Sequence, residues 1–468
     1  MRLYDILTDE SKNGRTPYHM PGHKRNPGFD YLNGKLGAID FTEIDGLDDL
    51  HAPNGILADA MKHAASIYGA DSSYFLVNGS TGGIISAIYS VASCGSCGRP
   101  LIIARNSHKS VYNAAVICGS PVSYVCPKLS EYGIPLDITP SDVKEAISKN
   151  PDSAAVVITS PTYDGVISDI RGIADVCHRS NIPLIVDAAH GAHLGFLDPT
   201  VELPTICGAD ITIMSLHKTL PSLTQTGILH VNGDLIDQEA VERALAIFET
   251  SSPSYILMAS IDGCIHELEK RELFDNWRCR IEQIHEAVDG LSNTSLFNGA
   301  LHNVFAFDIS KLVVCSDNLT GGEISAFLRG NASIEPEMTS LYYSLLMTGA
   351  GDTDEMTKLL CSALTKMDSV AGNAKAHRSI PQIGMSSTPR MTMACAAVSR
   401  SENISIDTAE GAIAAEFIMP YPPGIPLLAP GELVTPEHIA HIRMLSDSGI
   451  KLITSRGIFS GNINVVSL

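Results

Sequence analysis

No stretch of this chain approaches the ~18 consecutive apolar residues that a membrane helix needs, and no charged leader precedes an apolar signal core. A cytoplasmic protein with no membrane partner is the expectation. A basic patch is missing as well. The 32 Lys and Arg are outnumbered by 52 Asp and Glu, a net charge of −20, which argues against a nucleic-acid partner. The 11 cysteines form no framework of short spacings. Cys94 and Cys97 make one C-x-x-C. Without a second pair or histidines at ligand spacing, it reads as a reduced loop and not as a metal or redox centre. G-x-G-x-x-G and G-K-[ST] are both lacking, which lowers dinucleotide and nucleoside-triphosphate readings. Repeats and low-complexity tails are absent.

What is present is a 468-residue chain that is 44% hydrophobic, enough for a sizeable core divided over two or three domains. Strand-like runs at Ser73–Val77, Leu101–Ala104, Val122–Cys126, Ala154–Thr159, Leu184–Val186, Ile211–Met214 and Ile228–Val231 alternate with helical stretches such as Gly55–Tyr68, Pro140–Lys149 and Ile170–Ser180. Alternation of this kind predicts an α/β fold with a mostly parallel sheet and helices on both faces. The texture changes near residue 295, where a smaller α+β domain is expected. The expected division is an amino-terminal arm (1–50), a large domain (51–292) and a small C-terminal domain (293–468). Asp234–Leu291 reads as a connecting helix, and Met419–Glu432 as a segment made rigid by its prolines.

Polar residues gather at the strand ends. Asn78–Gly83 reads as a glycine-rich turn before a helix from Ile84, presenting N–H groups to a phosphate, with Ser80 and Thr81 adding hydroxyls. Asn106–Ser110, Ser160–Gly165, Asp187–His193 and Ser215–Lys218 form the rest of a rim. Lys218 follows a buried-looking strand, where open α/β sheets bind ligands. Asp187 ends the apolar run before it. An amine for a Schiff base and a carboxylate to keep a pyridine nitrogen protonated are what pyridoxal phosphate (PLP) chemistry requires. His19 and His23 are four apart, but Pro21 and Gly22 between them disfavour the helix that metal ligation would need.

Eight stretches, TPYHMPGHKR (16–25), TEIDGLDDLHAPNG (42–55), NGSTGG (78–83), NSHKS (106–110), DAAHGAHL (187–194), SLHKTL (215–220), IEPEM (334–338) and YPPGIPLLAPGE (421–432), carry a resemblance over nearly the whole chain. The sequence resembles the ornithine/lysine/arginine decarboxylases of the aspartate-aminotransferase fold (fold type I), in the short form without an amino-terminal wing domain. The resemblance implies that Lys218 carries the Schiff base and Asp187 pairs with the pyridine nitrogen. His108 would stack on the ring. Ser80, Thr81, Ser215 and His217 would hold the phosphate, and His190 would lie near ring and substrate. A capping or hydrogen-bonding role stays open for His108 and His190. His217, directly before the lysine, matches the decarboxylase pattern, and His217 or Lys218 would return the proton to the α-carbon.

The implied reaction is decarboxylation of a basic amino acid, with arginine favoured and lysine or ornithine open. Polyamine supply and acid resistance are both compatible with it. The distal charge needs an acid. Glu416 is the first candidate, with Glu335 and Glu337 behind it, and Asp45, Asp48 and Asp49 as contributions from the partner in a homodimer whose site lies at the subunit interface. One departure stands out: the family's Asp-Pro before its Arg/Lys-x-Thr segment is Thr388-Pro389 here, before Arg390. Competing readings are another fold-type-I enzyme, an aminotransferase or lyase, and a non-catalytic PLP-binding protein.

Overall fold

The computed structural model of the chain describes residues 16–18, 22–24, 26, 28–29, 41–44, 47–93, 98–372 and 389–467. Cys94, Cys97, His19, Asp45 and Ser386–Thr388 lie outside the described residues.

Seven strands form the central sheet: β1 (Ser72–Leu76), β2 (Leu101–Ala104), β3 (Val122–Val125), β4 (Ala155–Thr159), β5 (Leu184–Asp187), β6 (Ile211–Met214) and β7 (Gly227–Val231). Their spatial order is β1-β7-β6-β5-β4-β2-β3. Only β7 runs against the others, pairing antiparallel with β1 and β6. The remaining six therefore open their carboxyl ends on one edge. β2, β5 and β6 are buried at every position, as strands covered on both faces must be. Side chains split by parity. Ile102, Val156 and Val186 join one core with helices α1 (Ile56–Tyr68) and Ile170–Arg179. Leu101, Ile103, Val157 and Ile185 join the opposite core with α2 (Gly79–Ser93) and α3 (Lys109–Cys118). The period of two in a strand produces this two-sided burial.

Two expectations need correction. The glycine-rich stretch is not a turn ahead of a helix at Ile84. Helix α2 begins at Gly79, so Ser80 and Thr81 sit in its first turn. The segment Asp234–Leu291 is three helices, Gln238–Phe248, Tyr255–Glu267 and Arg271–Asp289. Asp237 and Ser254 cap the first two by accepting N–H bonds, which breaks what would otherwise be one rod.

Beyond them, an antiparallel sheet orders Ser295–Phe297, Lys311–Cys315, Tyr343–Met347 and Met338–Thr339. Nearer the C-terminus, Ser401–Ser405 pairs with Asn462–Val466, and Ile418–Pro420 with Leu452–Thr454. Thr16–Tyr18 pairs in parallel with Ile334–Pro336. The same early segment reaches the central sheet: the Gly22 N–H donates to the His217 carbonyl at 2.7 Å, and the Gly351 N–H donates to the Gly22 carbonyl at 3.0 Å. A Cβ on Gly22 would stand 2.2 Å from the Thr219 carbonyl carbon, so only glycine permits this approach. Among the described residues, no helix is long and apolar enough to cross a membrane.

The proline-rich loop is anchored by a buried cation. Arg105, just after β2, donates to the carbonyls of Pro426 (2.6 Å) and Leu427 (2.9 Å). It also pairs with Glu432 at 3.3 Å, both side chains being 1% exposed. Glu432 accepts the Ala429 N–H as well. Removing one partner of such a pair strands the other charge in low dielectric. Glu432→Ala should therefore lower stability by about 3 kcal/mol, read as a fall in the urea midpoint; an unchanged midpoint would show that the pair does not hold the loop.

Candidate active site

The carboxyl edge of the sheet collects the rim. After β6, Ser215 leads into the short helix Leu216–Thr219, which carries His217 and Lys218. β5 ends in Asp187. After β2 comes His108, which caps α3 by accepting the Ser110 N–H on Nδ1. The capping role left open for His108 is thus present. It also fixes the tautomer, leaving the proton on Nε2.

Lys218 Nζ lies 2.9 Å from His190 Nε2. Burial lowers the pKa of Lys218 while Asp187 and Glu337 raise it. Burial raises the pKa of Asp187 against the pull of Lys218. The Asp187 carboxylate accepts the Ala189 N–H at 3.1 Å. His217 donates from Nδ1 to the Thr226 carbonyl at 2.9 Å; because a carbonyl can only accept, Nδ1 carries the proton. Burial pushes the ring down to about 4, and His108 down to about 3, so both are neutral at pH 7.

The donor set fits a phosphorylated pyridine. Ser80 and Ser215 bring their hydroxyls within 2.6 Å of one another. Thr81 is exposed, its hydroxyl 3.3 Å from that of Ser110. The first turn of α2 has no acidic side chain, which suits an anion at the positive end of a helix. The backbone closes around this place: a Cβ on Gly227 would lie 2.9 Å from the Met214 carbonyl oxygen and 3.4 Å from the Ser80 nitrogen. The buried acid of Asp187 beside an amine is the matching pair for the ring nitrogen and aldehyde.

The three acids offered for the distal charge separate. Glu337 faces Lys218 and Lys311 electrostatically and takes a short hydrogen bond from the Tyr163 hydroxyl. Glu335 pairs instead with Arg329 at 2.7 Å. Glu416, the first choice from sequence, is buried. Its Oε1 accepts from the Asn464 N–H at 2.7 Å and from the side-chain amide of Asn464, so it braces the C-terminal strands. Asp48 is likewise occupied, accepting the N–H groups of Asn54, Gly55 and Leu57 before and within α1. Asp49 accepts the His51 N–H.

Three participants were not named from the sequence. Lys311 opens an apolar strand and reaches His190 Nδ1 at 2.9 Å; a lysine heading a run as apolar as Leu312–Cys315 was the available signal. Tyr163, whose ring centroid is 4.6 Å from that of His190, lay within the Ser160–Gly165 rim. Glu249 accepts the Val77 N–H beside the start of α2, and nothing in its local sequence marked it.

Comparison with known proteins decides the family. The family model described as "Orn/Lys/Arg decarboxylase, major domain" matches residues 2–310, and the one described as "Orn/Lys/Arg decarboxylase, C-terminal domain" matches residues 372–451. An arginine decarboxylase of Bacillus subtilis (strain 168) is 34% identical over 467 residues, covering 96% of this chain and 94% of that protein. The chain belongs to the Orn/Lys/Arg decarboxylase family. Members of that family are PLP-dependent lyases that decarboxylate amino acids. The fold of this decarboxylase is shared with the Francisella novicida lysine decarboxylase (TM-score 0.76, 18% identity, 96% of this chain and 78% of that one). It is shared more distantly with a serine palmitoyltransferase from S. paucimobilis solved with bound PLP-myriocin (TM-score 0.57, 14% identity, 77% of this chain and 88% of that one). These likenesses establish the fold-type-I architecture: a large mostly parallel sheet followed by a smaller C-terminal part.

Burial pushes the Glu249 carboxyl up to about 7, against its backbone hydrogen bonds. A carboxyl raised on folding stabilises the fold at low pH and loses that contribution as pH rises from about 4.5 to about 7. Glu249→Gln should therefore be about 1–2 kcal/mol more stable than the parent at pH 8 and no more stable at pH 4, measured by urea denaturation at the two pH values.

Proposed function

We propose that this decarboxylase binds PLP through Lys218 and acts on a basic amino acid, arginine before lysine or ornithine. The observation that carries the reading is the amine of Lys218 at the carboxyl end of β6, in the electrostatic reach of the buried Asp187 at the end of β5. When bound, the cofactor supplies an electron sink for the carbon–carbon bond that breaks. Everything else falls to side chains of this chain. Asp187 would hold a proton at the ring nitrogen. Ser80, Thr81 and Ser215, with the first turn of α2, would hold the phosphate. His108, kept neutral and fixed by Ser110, offers a flat face, and Lys109 next to it donates its N–H to the Gly424 carbonyl at 3.0 Å, bringing the proline-rich loop over this side. His217, neutral with its Nδ1–H engaged, has its second nitrogen as a lone pair that can take up or hand on a proton.

Glu337 is the acid we assign to the substrate's distal cation, in place of Glu416 and Glu335. Arginine is favoured because the B. subtilis relative bears that activity in its name and matches over nearly its full length. We further propose a cytoplasmic homodimer, consistent with a polyamine-producing role. Thr81 and Tyr421 are exposed beside the site, and a second copy of the chain against that side would exclude water. The boundary near residue 293 is retained as a proposal, supported by an antiparallel sheet drawn wholly from Ser295–Met347.

Lys218→Ala should give no amine and no carbon dioxide from arginine, lysine or ornithine, and borohydride reduction of the parent followed by peptide mapping should find the reduced cofactor on Lys218. Cofactor on another lysine would overturn the assignment. Glu337→Gln should raise KM for the basic amino acid by about tenfold to a hundredfold, the loss expected of one charge pair, with a smaller change in kcat; an unchanged KM would move the distal acid elsewhere, for example to a partner subunit.

A further inference from the structure

Lys311 is buried along with the whole of its strand, Lys311–Cys315. Its Nζ stands 2.9 Å from His190 Nδ1, and Lys218 Nζ stands 2.9 Å from His190 Nε2. The imidazole therefore bridges two lysines, nitrogen to nitrogen. A neutral imidazole has one N–H and one lone pair. Two ammonium groups would need two lone pairs. Both contacts are hydrogen bonds only when one lysine donates and the other accepts, and an accepting amine is uncharged. Protonating the ring is not a way out, because burial first, then Lys218 and Lys311, hold the pKa of His190 well below its ordinary value.

We propose that Lys311 is a positioning residue of this decarboxylase: through the ring of His190 it shares a single ammonium proton with Lys218, and so sets whether the Lys218 amine is free or charged. The exchange balances without any other reactant. The Lys311 ammonium N–H bond breaks as its proton passes to Nδ1. The Nε2–H bond breaks as that proton passes to the lone pair of Lys218. The ring changes tautomer, one positive charge moves from Lys311 to Lys218, and no electrons are gained or lost. With the charge on Lys311, Lys218 is a nucleophile; with the charge on Lys218, it is an acid. The proposal rests on the reading of Lys218 as the reactive amine.

The charges around the bridge leave either end able to hold the proton. Asp187 and Glu337 face Lys218. Asp308, Glu337 and Lys24 face Lys311, together with Lys218 itself, and Asp164 feels its charge. His108 and His217 face the ring of His190. Asp308 is already engaged by His193 Nε2 and the Ser310 N–H, both at 2.9 Å. It therefore offsets the Lys311 charge without tying that amine down. Burial, against the pull of Asp308, brings Lys311 down to about 8, within reach of a neutral form.

The test is acetylation of the full-length, cofactor-free chain by acetic anhydride from pH 6 to 10, reading Lys218 by peptide mass mapping. Lys311→Met removes the cation and the donor to Nδ1, so His190 can turn its lone pair to a charged Lys218. The midpoint for Lys218 should rise by about one pH unit, or roughly tenfold slower labelling below the midpoint. Lys311→Arg supplies a permanent cation and donor, so the midpoint should stay or fall. Opposite signs from these two variants are not what loss of packing would give. His190→Leu cuts the bridge; adding Lys311→Arg to it should then leave the midpoint unmoved. An unchanged or lowered midpoint in Lys311→Met, or a raised one in Lys311→Arg, overturns the proposal. If Lys311→Met does not fold by circular dichroism, the pair with and without His190→Leu decides. Borohydride trapping on the parent separates the two readings: cofactor on Lys218 with unmoved midpoints overturns the relay alone, while no cofactor on Lys218 overturns the assignment beneath it.

Discussion

The constraint on which this molecule depends is the cost of keeping charge out of water. Lys311, Asp187, Asp308 and Asp164 are all buried at or near the carboxyl edge of the central sheet, and His190 with them. An isolated ion in such a place would neutralise or drag in solvent. Here each charge has an opposite or a hydrogen-bonding neighbour, and burial keeps the imidazoles of His108, His190 and His217 neutral. The chemistry of the site follows from that arrangement, because groups held near their point of neutralisation are the ones able to exchange protons near pH 7.

The fold supplies these neighbours from distant parts of the chain. Parallel strands deliver Asp187, Lys218 and His108 to one edge, as doubly wound sheets do. A sheet built after residue 295 delivers Lys311 and Glu337 from the other side. The proline-rich loop, stiff by composition, is fastened by Arg105 and Glu432, and its Gly424 carbonyl holds Lys109 next to His108. Three separate elements thus enclose the Lys218 amine.

The central sheet was legible because each strand is an uninterrupted apolar run bounded by polar tips; β2 and β6 fall on the residues expected. Helix α2 starts earlier than expected because its first turn is glycine, serine and threonine, which have low helical preference, and tertiary packing overrides propensity there. The two catalytic candidates Lys218 and Asp187 stand out in the sequence because Asp187 closes an apolar run and Lys218 follows one. Lys311 was harder to read: an apolar run follows it, but a lysine at the head of a strand is ordinarily a solvated end, and only the folded sheet shows that this one is enclosed. Glu416 misled for a related reason. An acid before a proline-rich loop looks functional, but its partner Asn464 lies 48 positions away in sequence, beyond any local pattern.

The pairing of Thr16–Tyr18 with Ile334–Pro336 has a temporal side. A ribosome makes the first strand long before its partner, so that edge must wait while some three hundred residues emerge. Through Gly22 the same early segment touches the backbone of His217 and the turn at Gly351. The surroundings of Lys218 are therefore completed only after Gly351 has been made, and a nascent chain that already carries Lys218 has no finished pocket around it.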